Sequence, residues 1–182
     1  MLGLPGFTPD GLLPSSDSEL TLDQLRASLL VVGPSPRSEH WDEDWRRSLV
    51  DNLGIIVHQL WIAGVGEIFA DGSFCEDKDH PNDIDGYFVC DARDLGRLQR
   101  ELNLLDPYKV WTWDARARRR DRESGKLLLP MWHRYRIDMW PHCRQLSGIT
   151  DEHGHPLEFP AAFRKSRRGG QPRGIVRIGG KP

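Results

Sequence analysis

Cysteine is scarce in this sequence, whose 182 residues contain only Cys75, Cys90 and Cys143. Three is an odd number, and the intervals between these residues are unlike those of metal-binding cysteine clusters. The scarcity argues against a disulfide framework and against a thiolate metal centre. We expect the three thiols to be reduced, mostly buried small apolar side chains of a cytoplasmic protein.

Long apolar runs are also missing. No stretch approaches the roughly 20 consecutive apolar residues that cross a bilayer. The N-terminus, from Met1 to Gly6, lacks the basic segment and following apolar segment of a signal peptide. We therefore expect no membrane partner. A hydrophobic content of 38%, with seven tryptophans, predicts one domain with a well-packed core and additional tails.

Acidic residues are absent from positions 163–182, although this segment carries seven basic side chains. These are Arg164, Lys165, Arg167, Arg168, Arg173, Arg177 and Lys181. The rest of the chain holds 18 basic and 27 acidic side chains, so a basic segment follows an acidic body. Such a segment binds a polyanion, folds back on the body, or stays solvated and disordered, and the sequence leaves these alternatives open.

The distribution of proline, glycine and periodic apolar residues divides the chain into three regions. Residues 1–36 are predicted to be an extended lead-in with a short helix, because Thr21 to Gln24 resembles a capping box. That helix should end by Val32. Residues 37–145 are predicted to form the core, and residues 146–182 a loop-rich basic tail.

Within the core, apolar periodicity predicts two helices and four strands. Apolar residues recur every three or four positions from Trp41 to Leu60, which predicts a long amphipathic helix. A second helix should follow Asp91, its expected N-cap. Strands are expected at residues 68–71, 83–90, 108–113 and 131–140, and an exposed basic hairpin or loop at residues 115–126. This order of elements predicts an α/β or α+β domain around a mixed sheet.

The most informative segment is a glycine–serine turn followed by two closely spaced aspartates. Gly72 and Ser73 follow an apolar strand, nine residues separate Ser73 from Asp83, and Asp85 follows two positions later. Side chains at i and i+2 of a strand point to one face, so the two aspartates are expected to project together. Glycine lets the backbone approach a phosphate, and paired carboxylates bind Mg²⁺. The alternative is an ordinary turn with two aspartates before a strand.

This arrangement resembles the signature of the nucleotidyltransferase superfamily, whose fold is shared with polymerase β. It is most similar to the minimal bacterial nucleotidyltransferases, including those of toxin–antitoxin and phage-defence pairs, and to a group of short uncharacterised bacterial proteins. The resemblance implies a minimal nucleotidyltransferase fold, with a mixed central sheet flanked by helices. It also implies that Asp83 and Asp85 are catalytic and bind Mg²⁺ or Mn²⁺, while Gly72 and Ser73 hold the phosphates of an NTP such as ATP.

In that superfamily a third carboxylate joins the pair from a later strand, and Asp138 is the candidate here. If residues 131–140 form a strand, alternation places Arg134, Arg136 and Asp138 on one face. A metal ion or a salt bridge to these arginines would satisfy the carboxylate, and both interpretations stay open. The arginines would alternatively hold the triphosphate. Lys78 would assist them, or remain a solvated lysine in its loop.

Three features depart from the superfamily pattern. The spacer at residues 74–82 lacks the glycine that family members often carry. The interval from Asp85 to Asp138 is long and includes the basic segment at residues 115–126. We also expect no second domain for recognising a large acceptor.

The resemblance implies an enzyme that moves a nucleoside monophosphate from an NTP to a protein side chain or an RNA end and releases pyrophosphate. A cognate toxin or antitoxin protein is a further partner expected by analogy. The alternative is a non-catalytic module of the same fold that binds a nucleotide, RNA or a partner protein. A position of Asp138 beyond about 8 Å from Asp83 and Asp85 would favour this alternative, since paired metal ions lie only about 4 Å apart.

Overall fold

The computed structural model describes residues 4–151, 153–165 and 170–180. The helices are α1 (Leu22–Arg26), α2 (Leu29–Val32), α3 (Glu43–Ile62), α4 (Leu95–Leu105), α5 (Pro130–Tyr135) and α6 (Phe159–Phe163). The strands are β1 (Ser18–Leu20), β2 (Ile68–Asp71), β3 (Ile84–Val89), β4 (Arg119–Arg120), β5 (Leu127–Leu128), β6 (Ile137–His142), β7 (Leu146–Thr150), β8 (Pro156–Glu158) and β9 (Val176–Ile178). Short 3₁₀ helices span Gly72–Cys75 and Ala115–Ala117.

Five of these strands form one mixed sheet in the order β1-β9-β2-β3-β6. β9 pairs parallel with β1 and antiparallel with β2, β2 pairs antiparallel with β3, and β3 pairs parallel with β6. This mixed sheet, together with the helices that pack on it, confirms the expected α+β architecture. Strands β1 and β9 come from outside residues 37–145, so the sheet extends beyond the region that the sequence assigned to the core.

Helix α3 packs its apolar face into the core. The buried positions Leu49, Leu53, Ile56 and Leu60 recur every three or four residues, which confirms the predicted amphipathic helix. Burial of each such side chain stabilises the fold by about 1.5–3 kcal/mol. The helix begins at Glu43 because the Asp42 carboxylate accepts a hydrogen bond from a backbone N–H of its first turn.

The predicted capping box at the start of α1 is confirmed. The Thr21 hydroxyl accepts a hydrogen bond from the backbone N–H of Gln24, and the Gln24 side chain accepts one from the backbone N–H of Thr21. The helix does not continue to Val32, because Ser28 accepts a hydrogen bond from the backbone N–H of Leu30 and begins α2. A second N-cap thus divides the expected helix in two.

Residues 108–113 do not form the expected strand. The Asn103 side chain instead accepts a hydrogen bond from the backbone N–H of Trp111 and donates one to the carbonyl oxygen of the same residue. The Trp113 indole N–H donates to the carbonyl oxygen of Met139 at 2.9 Å. Side chains therefore satisfy the backbone groups that a neighbouring strand would have satisfied.

Helix α4 begins later than predicted. Its N-cap position is occupied by Asp94, whereas Asp91 lies in a turn and accepts a hydrogen bond from the backbone N–H of Arg93. The basic hairpin expected near residues 115–126 is confirmed, because β4 pairs antiparallel with β5.

The predicted strand over residues 131–140 is wrong in its first half. Pro130 stands in the first turn of α5, where a missing N–H is tolerated, and Arg136 ends the helix in the left-handed conformation at φ +56°. Only the segment from Ile137 onward pairs in the sheet, as β6. Arg134 and Arg136 therefore do not alternate with Asp138 along one strand face.

Within the described ranges, no helix combines the length and apolar character needed to cross a membrane. The three cysteines are free thiols. Cys75 is buried, while Cys90 and Cys143 are half-buried with their sulfur atoms 3.1 Å apart.

Candidate functional site

Three aspartates stand side by side where β2 ends and where β3 and β6 begin. Asp71 pairs with Asp85 across the antiparallel strands, and Asp85 pairs with Asp138 across the parallel strands. Neighbouring strands lie about 4.8 Å apart, and directly opposed side chains share a face. Asp83 immediately precedes β3, two positions from Asp85. The fold thus brings together the three predicted acids, Asp83, Asp85 and Asp138. It adds Asp71, which sequence reasoning missed.

Indole N–H groups hold two of these carboxylates. Trp132 donates from Nε1 to Oδ2 of Asp83 at 2.6 Å, and Trp140 donates from Nε1 to Oδ1 of Asp138 at 2.9 Å. Burial raises the pKa of Asp138 to about 6, while the hydrogen bond from Trp140 opposes the rise and the negative charge of Asp83 adds to it. The surroundings of Asp138 therefore stabilise its ionised form less well than water does.

The Gly72 backbone fits tightly against Asp85. Gly72 has φ +79°, and an added Cβ would lie 2.8 Å from Cγ of Asp85, a distance that real Cβ atoms do not adopt. Glycine is required here both for its backbone conformation and for the close approach. Ser73 follows within the 3₁₀ helix and lines the same cavity as Asp83 and Asp85.

A buried arginine from α3 holds the loop after this turn. The Arg46 side chain has no exposed surface, and its guanidinium lies 3.9 Å from the centre of the Trp41 ring. It donates to the backbone carbonyl oxygens of Leu30, Phe74, Glu76 and Lys78. Several charge-assisted hydrogen bonds from one rigid group fix the loop that carries Lys78.

A second buried arginine, Arg173, holds the turn from the C-terminal segment. It forms ion pairs with Asp71, at 3.1 Å, and with Glu76. Its Nη1 also lies 3.4 Å from the carbonyl oxygen of Gly72, to which it donates. Sequence reasoning placed Arg173 in a basic tail, because nothing local distinguishes it from its exposed neighbours.

A cavity of about 890 Å³ opens over the site. Its lining includes Gly72, Ser73 and the three predicted acids, Asp83, Asp85 and Asp138. Five basic side chains also line it, namely Lys78, Arg118, Lys126, Lys165 and Arg173. Carboxylates and cations therefore line one cavity, which suits a polyanionic ligand that binds together with a metal ion.

The two arginines predicted beside Asp138 lie elsewhere. The Arg134 guanidinium stacks 3.8 Å from the centre of the Tyr108 ring and donates to the hydroxyl of that residue. Arg136 stacks 4.0 Å from the centre of the Trp132 ring and lines a separate cavity. Neither arginine is among the residues that line the larger cavity, so the structure does not bring them together with Asp138 there. Lys78 does line it.

The basic tail is partly integrated into the fold. Arg173 is buried, Arg164 pairs with Asp17, and Arg177 pairs with Glu19 at 3.3 Å. Three further members, Arg167, Arg168 and Lys181, lie outside the described residues.

No group of three His, Cys, Asp or Glu side chains among the described residues is arranged to hold a metal ion. The chemistry of the predicted donors nevertheless fits Mg²⁺, which prefers carboxylate oxygens. Each indole hydrogen bond engages one oxygen of its carboxylate. A cation would also compensate the charge that burial penalises at Asp138.

Comparison with known protein families finds a match. The profile of a family described as a family of unknown function (DUF6932) matches residues 5–179, and the chain therefore belongs to this family. No curated protein and no solved structure matches the chain significantly.

Proposed function

We propose that this member of the family of unknown function is a metal-dependent nucleotidyltransferase that moves a nucleoside monophosphate from an NTP to an RNA or protein acceptor. The observation that carries the proposal is the pairing of Asp85 with Asp138 on neighbouring strands, with the Gly72 turn packed against Asp85. A glycine–serine turn beside convergent carboxylates is the arrangement that the superfamily resemblance implies.

In this proposal Asp83, Asp85 and Asp138 hold Mg²⁺ or Mn²⁺. When bound, such ions neutralise charge on the phosphates and lower the pKa of an acceptor hydroxyl group. The ionised carboxylates are the state that binds the ion, so Asp138 must lose its proton first. Because burial raises its pKa to about 6, binding strengthens as the pH rises through that value.

The remaining residues of the larger cavity bind and orient the substrate. The Ser73 hydroxyl donates to a phosphate oxygen, and the Gly72 turn lets the chain approach the phosphate without a side chain in between. Lys165 and Arg118 line the same cavity and supply positive charge for the triphosphate. Positioning of this kind is the main contribution that a protein makes to phosphoryl transfer.

The proposal implies a cytoplasmic protein, since NTPs are its substrates. A toxin–antitoxin or phage-defence role, with a cognate protein partner, follows from the resemblance alone and is part of the proposal.

A second candidate is a non-catalytic module that binds a nucleotide, RNA or a partner protein through the same cavity. Two observations favour it: the carboxylates of Asp83 and Asp138 accept hydrogen bonds from Trp132 and Trp140, and no three acids among the described residues are arranged to hold a metal ion.

One labelling experiment separates the two candidates. The protein is incubated with each α-labelled NTP, Mg²⁺ or Mn²⁺, and either total RNA or cell lysate. The enzyme transfers label to RNA or protein, and Asp83→Asn and Asp85→Asn abolish transfer while the exposed control Asp114→Asn does not. NTP binding without transfer by any variant supports the binding module. Transfer that persists in both site variants contradicts the assignment of the acids.

A further inference from the structure

A second cavity lies next to the larger one and has no role in the function proposed so far. Its volume is about 390 Å³. Asn82, Asp83, Lys126 and Leu128 line both cavities, so the two meet at the predicted metal ligand Asp83. A group bound in the smaller cavity would therefore lie beside the reacting centre.

Flat side chains form two walls of this smaller cavity. Trp45 and His80 stack with ring centres 5.1 Å apart and an angle of 10° between their planes. Trp45 donates from Nε1 to the carbonyl oxygen of Pro81 at 2.6 Å, and Nδ1 of His80 lies 2.9 Å from a carboxylate oxygen of Asp42. These hydrogen bonds hold the stacked pair in place before any ligand arrives.

The second flat wall is built from Trp132 and Arg136. The Arg136 guanidinium lies 4.0 Å from the centre of the Trp132 ring, and the indole N–H of Trp132 is held by Asp83. Arg136 adopts φ +56°, a conformation in which glycine is the favoured residue. The side chain at this position adds a flat, positively charged group to the lining of the smaller cavity.

The charges around the cavity are mixed. Lys126 and Arg136 contribute positive charge, and Asp121, Glu123 and Asp83 contribute negative charge. Such a lining does not favour a phosphate group, which prefers a cluster of cations. It does favour a neutral planar ring with polar edges, because stacked aromatic and guanidinium planes bind the face of a nucleobase.

We propose that the smaller cavity binds a nucleobase. The base belongs either to the donor NTP or to the terminal nucleotide of an RNA acceptor. Its use as a substrate subsite depends on the proposed nucleotidyltransferase function, whereas binding of the base itself does not.

The experiment uses the full chain labelled with ¹⁵N and titrated with adenosine, guanosine, cytidine and uridine. We expect the indole N–H signals of Trp45 and Trp132 to shift with at least one nucleoside, while that of Trp111, which is bonded to Gln59 in the core, does not. Dissociation constants come from the same titrations. Absence of shifts at Trp45 and Trp132 up to millimolar concentrations of all four nucleosides overturns the inference.

Two matched arginine variants test the stacking wall. Arg136→Gly removes the guanidinium at a backbone conformation that glycine adopts without strain, so the fold should be retained. Arg144→Gly makes the same change at φ +62° on an exposed residue outside this cavity. Loss of one stacking partner is expected to weaken nucleoside binding by about 5–100-fold in Arg136→Gly. No weakening, or equal weakening in Arg144→Gly, contradicts the proposal.

Two further binding measurements with Arg136→Gly identify the source of the base. If it comes from the donor, Arg136→Gly weakens binding of the corresponding NTP; if it comes from the acceptor, the variant weakens binding of a five-nucleotide single-stranded RNA instead. If nucleosides bind in the smaller cavity but the wild-type protein transfers no label from any NTP, this inference stands and only the nucleotidyltransferase function is refuted.

Discussion

Replacement of Asp138 by asparagine is expected to stabilise the protein at neutral pH while it removes a predicted metal ligand. Asparagine has almost the same shape as aspartate and keeps an oxygen that can accept the hydrogen bond from Trp140. It cannot ionise, so it avoids the cost of a charged group in a buried position.

The magnitude follows from the pKa of Asp138, which burial raises from 3.8 to about 6. The folded state holds this proton more tightly than the unfolded state, so stability falls as the pH rises from about 4 to about 6, and the full cost is present above that range. A rise of about 2 units corresponds to at most ~3 kcal/mol. We therefore expect Asp138→Asn to gain about 1–3 kcal/mol at pH 7.5, or about 2–10 °C in Tm.

The assay is thermal unfolding of the wild type and of Asp138→Asn at pH 4, 6 and 7.5, without divalent ions. The difference between the two proteins should be near zero at pH 4 and largest at pH 7.5. Added Mg²⁺ should raise the Tm of the wild type and reduce the difference, because a ligand that binds only the folded state stabilises it.

The control is Asp114→Asn, at an exposed carboxylate. Hydrogen bonds from Arg116 lower the pKa of Asp114 to about 2, so its charged form is favoured in the folded protein. This variant should gain no stability at pH 7.5. If Asp138→Asn is less stable than the wild type at pH 7.5, or if its advantage does not change between pH 4 and 7.5, burial does not penalise the Asp138 carboxylate and the reasoning is refuted.

Two further substitutions test the turn and its support. Gly72→Ala should lower the free energy of unfolding by about 1–3 kcal/mol and displace Asp85, which should abolish the stabilisation by Mg²⁺. The control Gly125→Ala changes a glycine that also has a positive φ but lacks the close contact, so it should lower the free energy of unfolding and leave the stabilisation by Mg²⁺ unchanged. Equal loss of stabilisation by Mg²⁺ in both variants would contradict the packing argument. Arg173→Met should cost about 3–5 kcal/mol in urea unfolding, because it leaves buried carboxylates without their cation. The exposed pair removed by Arg177→Met should cost less than about 1 kcal/mol, so similar losses would show that burial is not the cause.

Local patterns in the sequence predicted the parts of the site that are local in the chain. The Gly72 turn and the pair Asp83 and Asp85 lie within fourteen residues, and the strands around them are short apolar runs. The long helix α3 was predicted because its apolar residues follow the helical period over several turns.

Non-local contacts could not be predicted in the same way. Asp71 belongs to the row of acids only through its pairing with Asp85 on the next strand. Arg173 reaches it across a separation of 102 residues. The helix α5 was mistaken for strand because a short apolar segment fits both periods, although Pro130 is a residue typical of a helical first turn.

The position of β9 inside the sheet, between β1 and β2, has a consequence for synthesis of the protein. Gly72 and Arg173 are 101 residues apart, which corresponds to roughly 5–20 s of translation. During that interval β2 has an unpaired edge, and Asp71 and Glu76 have not yet met their buried cation. Once Asp138 has been made, a nascent chain carries the glycine–serine turn and all three predicted acids, but the site is not yet complete. The site is completed only when synthesis has passed residue 178.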